Sequence, residues 1–406
     1  MVMRRWCRLI RGIALGILAV AVVMILLKEL WPTYDPRPPT TIHLRNASTF
    51  LNSLHHMSLD PVKVREKCKR NEVDVLLIVP SSVANLKARQ AVRRSWGAHL
   101  PSSWQLIFYI GETADSLLQD QVRAEAEKHG DIAQDLSFYD SYSNLTLKTL
   151  SLLSWTQSFC MNASFILKID DDIFLNVQRL YSLTVCVNEA RKYMYSEKKK
   201  DNSSSSDAQE KVTPALTFLK TFPKNLCDAF TPYQYISYFI NSQTHEYESY
   251  LFGGYLYNRV KADRDPYSKW YLDPKIYPNE FLPPFLSGTS YIMTSNIIRH
   301  LIEAAKFIPL IELEDVYISG LVGNNGLKMR LSHLDGWNAF RPRWDSPCTY
   351  RKLFTSHGLS PSEMLSITQA LHNLNHGACD HFLVYITNAF DSIISYIFPR
   401  LPSKDN

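Results

Sequence analysis

The feature that most constrains the fold is a regular alternation of short apolar runs and helical patterns between residues 73 and 195. Each apolar run is rich in β-branched or aromatic residues and precedes a stretch whose apolar residues recur at helical spacing. Alternation of this kind is typical of α/β domains with a mainly parallel sheet. The predicted strands are 73–79, 105–110 and 165–169, and the predicted helices are 85–96, 114–129, 147–159 and 177–195.

Composition agrees with a globular protein and excludes several functional classes. The 406 residues are 46% hydrophobic and 20% charged, which is too apolar for a disordered chain. The net charge is only +5, so the sequence gives no support to nucleic acid as a partner. Seven cysteines without a C-x-x-C pair argue against a disulfide scaffold and a structural zinc site. Their odd number leaves one unpaired, and Cys7 is the candidate.

The N-terminus predicts a membrane anchor. Residues 12–27 form an uncharged apolar run, four arginines precede it, and the first acidic residue is Glu29. With its apolar neighbours, the run approaches the roughly 20 residues that a membrane-spanning helix needs. The arginine excess places the N-terminal end in the cytosol and the rest of the chain in the lumen. A cleaved signal peptide is the alternative, although no small-x-small cleavage site follows the run.

The predicted organisation has five parts: a cytosolic tail, a transmembrane signal anchor, a proline-rich stem, a globular domain and a C-terminal tail. Their predicted bounds are 1–11, 12–31, 32–70, 71–385 and 386–406. A polar, low-complexity stretch at 197–211 indicates a surface loop within an insert spanning about 196–250. N-glycosylation triplets agree with lumenal exposure. They begin at Asn46, Asn144, Asn162 and Asn202.

Three consecutive carboxylates follow the third predicted strand. Asp170, Asp171 and Asp172 lie at its carboxyl end, where open α/β sheets bind ligands. Adjacent carboxylates repel one another unless a cation or a solvated surface relieves the repulsion. Because the flanking residues are apolar, the pattern favours a divalent cation that also contacts phosphate oxygens over a solvated acidic turn.

Two further segments carry candidate chemistry. Glu314 and Asp315 interrupt an apolar run, where a desolvated carboxylate can act as a general base or can equally cap or salt-bridge a helix start. The stretch 269–291 combines prolines and aromatics in a stiffened loop. Such a loop suits stacking on sugar rings or nucleobases, but it is also typical of a loop that covers a core.

The sequence pattern by itself does not decide the roles of three basic residues. Arg89 and Arg93 are four apart on the first predicted helix, so they would point together, either at phosphate or into solvent. His357, one of twelve histidines, favours a structural role over a ligand role when it is taken by itself.

In chain order, these segments resemble glycosyltransferase family 31, the inverting β-1,3-glycosyltransferases of the Golgi, and most closely its β-1,3-galactosyltransferase branch. The matching segments span about residues 73–370. They are RQAVRRSWG, FYIG, GDIAQDLSFYDSYSNLTLKT, KIDDDIFLN, KWYLDPKIYP, PPFLSGTSYIM, LEDVY and CTYRKLFTSHGLSPSEM. Any one alone would be weak evidence, but so many in the same order are very unusual by chance.

The resemblance implies an α/β domain with the GT-A fold at 71–385, in which a Rossmann-like half binds the nucleotide sugar. It also implies Mn²⁺ as the cofactor. By position in the family's D-x-D-type motif, Asp172 would be the direct metal ligand, with Asp170 and Asp171 toward the ribose or metal-bound water. His357 matches the histidine that completes the metal site in related enzymes.

The implied reaction transfers galactose from UDP-galactose to the 3-hydroxyl of a terminal sugar on a glycoprotein or glycolipid, in an enzyme held in the Golgi membrane by its N-terminal helix. Asp315 matches the acid of the family's E-D-V motif and would be the general base. Arg89 and Arg93 are the candidates for binding the donor. Two alternatives stay open. One is UDP-N-acetylglucosamine as the donor, and the other is a catalytically silent chaperone or scaffold, against which the intact motifs argue.

Three positions depart from the galactosyltransferase branch. Leu286 and Leu321 stand where that branch commonly has cysteines, and Ser319 stands where a glycine is usual. If those cysteines are bridged in relatives, losing both avoids a free thiol in an oxidising lumen. Cys68 with Cys160 is one of many pairings that the remaining lumenal cysteines allow.

Overall fold

The protein is described here by a computed structural model. It describes residues 47–201 except 55, 250–374 except 343–345, and residue 379. The predicted cytosolic tail, membrane anchor and C-terminal tail, and residues 202–249 of the insert, lie outside this part of the chain. Within the described ranges, no helix combines the length and apolar character needed to cross a membrane.

The framework is a mixed sheet of eight strands, accompanied by a small two-stranded sheet. Across the large sheet the order is β1-β4-β3-β2-β5-β8-β7-β9, and β6 pairs with β10 in the small one. The strands are β1 (Met57–Leu59), β2 (Val75–Pro80), β3 (Trp104–Glu112), β4 (Ile132–Tyr139), β5 (Phe165–Ile169), β6 (Phe174–Leu175), β7 (Phe252–Tyr257), β8 (Phe285–Thr294), β9 (Ser332–His333) and β10 (Thr355–Ser356).

The four central strands run parallel, and this fixes where a site can form. β2 pairs in parallel with β3 and β5, and β3 pairs in parallel with β4. β1 is antiparallel to β4, and β8 is antiparallel to both β5 and β7. The segments that follow β2, β3, β4 and β5 therefore gather at one edge of the sheet, where α/β proteins bind their ligands.

Helices join the strands and cover the sheet. They are α1 (Ala47–Asn52), α2 (Val62–Lys69), α3 (Leu86–Arg94), α4 (Ser116–His129), α5 (Leu145–Phe159), α6 (Val177–Asp201), α7 (Ile298–Ala305), α8 (Pro347–Lys352) and α9 (Pro361–His372), with a π-helix at Val316–Gly326. Local sequence explains several of their ends. The Asp115 side chain accepts hydrogen bonds from the first turn of α4, which ends at Gly130 in the left-handed region (φ 68°).

The central strands confirm the alternation seen in the sequence. All residues of β2 and β5 are buried, as expected for strands of a parallel sheet covered on both faces. The predicted strands correspond to β2, β3 and β5, and the predicted helices to α3, α4, α5 and α6. The sequence reading did not assign β1, β4 or β8. One prediction was wrong at its start: residues 197–201 of the expected polar loop continue α6, in keeping with a Glu- and Lys-rich sequence that favours helix.

The predicted stem is partly folded. Between residues 47 and 70, α1, β1 and α2 form, and β1 pairs with β4 at the edge of the large sheet. Phe50 and Val64 are buried, so this segment contributes to a core instead of extending into solvent. A disulfide joins Cys68 to Cys160, with 4.9 Å between their Cα atoms, and fixes α2 to the end of α5. The folded part of the chain thus begins earlier than residue 71.

Residues 263–278 group separately from the rest of the described chain. The Arg264 guanidinium donates to the carbonyl oxygens of Leu272 and Tyr277, the latter at 2.7 Å. The Leu272 N–H donates to the Asp263 carbonyl at 2.9 Å. This segment overlaps the stiffened aromatic stretch 269–291, whose stacking on sugars or bases stays a prediction.

Candidate active site

The acidic triplet lies at the carboxyl end of β5, and each of its carboxylates has a different environment. The Asp170 N–H donates to the Thr289 carbonyl at 3.0 Å, which joins the end of β5 to β8. The Asp170 carboxylate accepts a hydrogen bond from Lys168 Nζ at 2.9 Å. Burial raises the pKa of Asp170 to about 7, with the Asp172 and Glu314 charges adding to the rise and Lys168 opposing it.

Asp171 is held by the segment that follows β2. Its Oδ2 accepts hydrogen bonds from Ser81 Oγ at 2.6 Å and from Asn85 Nδ2 at 3.0 Å. Lys148 Nζ donates to the Ser81 carbonyl at 3.0 Å and so fixes the same segment from its other side. Burial raises the pKa of Asp171, although these hydrogen bonds oppose the rise.

Asp172 faces His357 because the small sheet brings them together. β6 follows Asp172 and pairs with β10, which precedes His357. As a result His357 Nε2 lies 3.3 Å from Asp172 Oδ2, and both side chains are about 40% exposed, at 39% and 41%. The Leu359 N–H also donates to the Asp172 carbonyl, at 3.1 Å.

This pair suits a divalent cation such as Mn²⁺. One carboxylate oxygen and one imidazole nitrogen converge at an accessible point, and Mn²⁺ accepts both kinds of ligand. Among the described residues, no group of three or more His, Cys, Asp or Glu side chains is arranged to hold a metal ion. A cation between Asp172 and His357 would therefore take its other ligands from water and substrate oxygens, as Mg²⁺-like ions bound to phosphates commonly do.

Asp315 lies immediately before the π-helix and is oriented by two backbone N–H groups. Its Oδ1 accepts from the Val316 N–H at 2.9 Å, and its Oδ2 accepts from the Gly288 N–H at 3.0 Å. A Cβ at residue 288 would lie 3.1 Å from Glu314 Oε2 and 3.2 Å from Asp315 Oδ2, so this close approach favours glycine. Burial raises the pKa of Asp315 to about 6, and the Glu314 charge adds to the rise.

Lys168 connects the triplet to the Glu314–Asp315 pair. Its Nζ donates to Asp170 and to the Gly288 carbonyl, and it lies 3.6 Å from Glu314 Oε2. The Tyr291 hydroxyl donates to Glu314 Oε1 at 2.8 Å. Burial acts to lower the pKa of Lys168, but Asp170 and Glu314 together raise it, so the side chain is a buried cation. One cation is thus shared among several carboxylates.

Arg89 and Arg93 do point together, as their spacing predicts, but toward carboxylates of the chain itself. Arg89 is fully buried, and its Nη2 lies 2.7 Å from Glu125 Oε2. Arg93 lies 2.6 Å from Glu125 Oε1 and 2.7 Å from Asp131 Oδ2. Their side chains are only 1% and 11% exposed, so both guanidinium groups are largely buried among these carboxylates. Arg89 reaches the triplet only indirectly, by donating to Ser81 Oγ at 3.2 Å.

A pocket of about 210 Å³ opens at the carboxyl ends of β2, β3 and β4. It lies beside the Ser81 segment that holds Asp171. Its lining combines small, apolar and acidic side chains: Ser82, Val83, Ala84, Glu112, Thr113, Ala114, Leu118, Tyr139 and Asp140. Lys148 Nζ donates to Asp140 Oδ1 at 2.6 Å and so fixes one of the residues that line the pocket.

Sequence reasoning assigned no role to Ser81, Asn85 or Lys168. Each of these residues had a feature in the sequence that could have identified it. Ser81 comes directly after a buried parallel strand, and Asn85 lies in the same connection to the next helix, the region from which ligand-site residues project. Lys168 is a charge inside the apolar run FILKI, and a buried charge requires partners. Asp170 is only two residues away, but its other partners, Gly288 on β8 and Glu314 just before the π-helix, are more than a hundred residues away in sequence.

Comparisons with known proteins identify the family to which the chain is similar. A family model described as Galactosyltransferase matches residues 87–245 and 228–334, together more than half of the chain. Human beta-1,3-galactosyltransferase 5 is 28% identical over 318 residues, which cover 77% of this chain and 83% of that protein. Mouse beta-1,3-galactosyltransferase 1 is 29% identical over 317 residues, covering 77% of this chain and 78% of that protein.

Solved structures are more distant. The apo bifunctional glycosyltransferase WbbM has a TM-score of 0.31 at 9% identity, covering 77% of this chain and 51% of its own. Apo mouse xyloside xylosyltransferase 1 has a TM-score of 0.29 at 10% identity, covering 70% and 97%. These scores are too low to support an argument about the fold. The sequence matches carry the conclusion: this chain belongs to the galactosyltransferase family, as its resemblance to glycosyltransferase family 31 implied.

Proposed function

We propose that the protein is an inverting β-1,3-galactosyltransferase that moves galactose from UDP-galactose to the 3-hydroxyl of a terminal sugar on a glycoprotein or glycolipid. The observation that carries the proposal is Asp315, a desolvated carboxylate oriented by two N–H groups, whose neighbour Glu314 is joined to the triplet through Lys168. A single base next to a donor site is what an inverting transfer requires. The GT-A arrangement of this domain is part of the same proposal.

Asp315 acts as the general base. A sugar hydroxyl is a poor nucleophile at neutral pH, so a carboxylate must accept its proton as the new bond forms. The acceptor oxygen attacks C1 of galactose from the face opposite UDP, the C1–O bond to UDP breaks, and UDP leaves with the electron pair. A pKa of about 6 leaves Asp315 ionised at neutral pH yet more basic than an ordinary aspartate.

Asp172 and His357 are the residues that would hold Mn²⁺. When bound, Mn²⁺ supplies Lewis-acid stabilisation of the charge that develops on the departing diphosphate. Asp170 and Asp171 flank this position and face the ribose or metal-bound water. Burial raises the pKa values of Asp170 and Asp171, and a cation bound beside them would favour their ionised forms.

The nucleoside of the donor occupies the pocket at the ends of β2, β3 and β4. The pocket adjoins Ser81, which holds Asp171, so a base in the pocket would direct its ribose and diphosphate toward the triplet. Arg89 and Arg93 take positioning roles in this proposal in place of the direct donor contact expected from the sequence. Their guanidinium groups fix the Ser81 segment and α3 through Glu125 and Asp131.

The proposed location is the Golgi membrane, with the tail 1–11 in the cytosol, the anchor at 12–31 and the folded domain in the lumen. The sequence of the N-terminus supports this topology. Protease treatment of intact microsomes tests it. The folded domain should be protected, whereas an N-terminal epitope should be removed. Loss of the folded domain without detergent would contradict the topology.

The activity is tested with the full-length chain purified in detergent from a secretory host. UDP release is measured with UDP-galactose and with UDP-N-acetylglucosamine, in Mn²⁺ or EDTA, against a panel of β-linked acceptors. We expect acceptor-dependent release with UDP-galactose that EDTA abolishes. Release with UDP-N-acetylglucosamine alone would assign the other donor. No release with any pair, from a protein that binds UDP, would contradict the enzymatic proposal and favour a scaffold.

A further inference from the structure

A cluster of aromatic rings lies where β7 and β8 meet. We call Tyr255, Tyr257, Phe285 and Phe340 the aromatic shelf. Tyr257 stacks on Phe285 with ring centroids 5.1 Å apart, and the Tyr255 ring lies 5.0 Å from that of Tyr257. Phe340 meets both tyrosines edge-on, at 5.6 and 6.4 Å. The rings therefore form one continuous surface.

The shelf is only partly buried. Phe285 is covered, but both tyrosines are half-buried and Phe340 keeps 40% of its surface exposed. A contiguous set of partly exposed rings is a candidate ligand surface, whereas a single exposed ring is not. Three of the four members thus retain surface that a ligand can contact.

One end of the shelf adjoins the proposed base. Tyr257 pairs with Phe285 in the sheet, and Phe285 lies three residues before Gly288, whose N–H binds Asp315. Phe285 also packs on the π-helix that follows Asp315, because a Cβ on Gly320 would lie 3.2 Å from Phe285 Cβ. The Asp315 charge contributes to the raised pKa of Tyr257, after burial and Tyr255, which agrees with this proximity.

The other end of the shelf adjoins the proposed metal ligands. The Phe340 carbonyl accepts a hydrogen bond from Ser356 Oγ at 3.3 Å, and His357 is the next residue. The neighbouring Asn338 is tied to the same strand, its N–H donating to Thr355 Oγ1 at 3.2 Å. The backbone at one end of the shelf is therefore tied to the strand that precedes His357, a proposed metal ligand, and Tyr257 at the other end lies near Asp315, the proposed base.

We propose that the aromatic shelf binds the terminal sugar of the acceptor, a neutral pyranose that packs its C–H face on the rings and presents its 3-hydroxyl to Asp315. Aromatic faces suit such a ligand because they make contact over an apolar surface and accept weak C–H interactions. The tyrosine hydroxyls add polar contacts at the edge of the ring. This inference rests on the proposed function, since it names the substrate surface of that same site.

The test compares Phe340→Ala with the wild-type full-length chain. Phe340 is the most exposed ring of the shelf, so its truncation perturbs packing least. We expect the KM for the acceptor to rise about tenfold, because one stacked ring is worth on the order of a tenfold change in affinity. The KM for the donor and the slow hydrolysis of the donor by water should stay within twofold, and Phe340→Tyr should restore the acceptor KM.

A matched control removes an exposed ring elsewhere. Phe307 is 86% exposed in the segment after α7, and Phe307→Ala should leave all three constants unchanged. An unchanged acceptor KM in Phe340→Ala would overturn the proposal, as would an equal rise in the donor KM. Tyr257→Phe serves as a second variant that keeps the ring and removes the hydroxyl, and we expect a smaller rise.

A binding measurement separates failure of this proposal from failure of the proposed function. Saturation-transfer NMR is recorded with methyl β-galactoside and methyl β-N-acetylglucosaminide in the presence of UDP. If the wild type shows no transfer activity but binds either glycoside, and Phe340→Ala loses that binding, the shelf stands while the enzymatic function fails. If the wild type transfers galactose and Phe340→Ala binds both glycosides equally well, the shelf fails and the function stands. Absence of glycoside binding by the wild type overturns the shelf in either case.

Discussion

Two buried charge clusters differ in their ratio of cations to carboxylates. In the arginine cluster, two cations, Arg89 and Arg93, face two carboxylates, Glu125 and Asp131, at 2.6–2.7 Å. In the lysine-linked site, Lys168 contacts both Asp170 and Glu314, and its charge also acts on Asp315. Burial acts to raise the pKa of Glu125, but its two arginine partners lower it overall. In the lysine-linked site the pKa values of Asp170 and Asp315 are raised.

This difference indicates that the arginine cluster stabilises the fold and that the lysine-linked site serves the reaction. A balanced and fully hydrogen-bonded set of charges can stabilise a fold without needing any ligand. An excess of buried carboxylates opposes folding at neutral pH, because each raised pKa means that ionisation is less favourable than in the unfolded chain. Such an arrangement persists where it serves chemistry. We therefore expect equivalent substitutions in the two clusters to have opposite effects on activity and stability.

The largest effect on activity is expected from Asp315→Asn. Asparagine cannot accept the proton, so kcat should fall by a factor on the order of 10² to 10⁴, the usual contribution of a general base. UDP binding should stay near normal, and thermal stability should not fall, since a carboxylate with a raised pKa is replaced by a neutral group. Single-turnover kinetics and calorimetry check these outcomes. Retained turnover would exclude Asp315 as the base.

Asp172→Asn should chiefly affect binding. Losing one of the two candidate protein ligands should abolish the gain in UDP affinity that Mn²⁺ provides, leaving the affinity measured in EDTA unchanged. Titration calorimetry with UDP, with and without Mn²⁺, checks this expectation. His357→Gln provides a parallel variant on the other side of the same site. An Asp172→Asn protein with normal Mn²⁺-dependent affinity would remove Asp172 from the metal site.

Lys168→Met should have an intermediate effect. Lys168 lowers the pKa of both Asp170 and Asp315, so its removal should raise both values. The acid limb of the pH–rate profile should then move to higher pH, with a several-fold loss of activity at pH 6 and a smaller loss at pH 8. Stability should also fall, because carboxylates lose their buried partner. A limb that stays in place would show that Lys168 does not tune the base.

The smallest effect on activity is expected from Asp131→Asn, which makes the same chemical change in the arginine cluster. It removes one partner of Arg93 and should lower the free energy of unfolding by roughly 1–3 kcal/mol. Turnover by the folded fraction should stay within twofold of the wild type. Denaturant unfolding and initial rates on the same sample check both. A large loss of kcat with normal stability would make the arginine cluster catalytic and break the comparison.

Much of this site could be predicted from local sequence. Three aspartates follow a buried strand, and a pair of carboxylates interrupts an apolar run. Each of these patterns indicates charged groups that are held in a largely buried place. The sequence could not identify the partners of Arg89 and Arg93. Helical spacing shows that two side chains share a face, but the opposing surface belongs to α4 and the start of β4, far along the chain.

Ser319, which departs from the family pattern, is a second residue whose contacts could not be predicted from the sequence. Its presence is visible in the sequence, but its consequence is not. In the fold, its buried hydroxyl donates to the Asp315 carbonyl at 2.7 Å and accepts from the Leu286 N–H at 2.8 Å. It therefore ties β8 to the first turn of the π-helix, beside the proposed base. Only the pairing of distant segments reveals this connection.

The most direct test of the central claim, that Asp315 is a desolvated base, is the pH dependence of kcat/KM for the wild type at saturating Mn²⁺, with UDP binding measured across the same range. Asp315 must be ionised to accept a proton, so activity should rise as the pH increases through about 6 and then reach a plateau. The UDP affinity measured over the same range reports the titration of Asp170 on the donor side, whose pKa is about 7, so the change in activity beyond it belongs to the base. Activity that is flat between about pH 5 and 7.5, or that falls only in step with UDP affinity, would contradict the account.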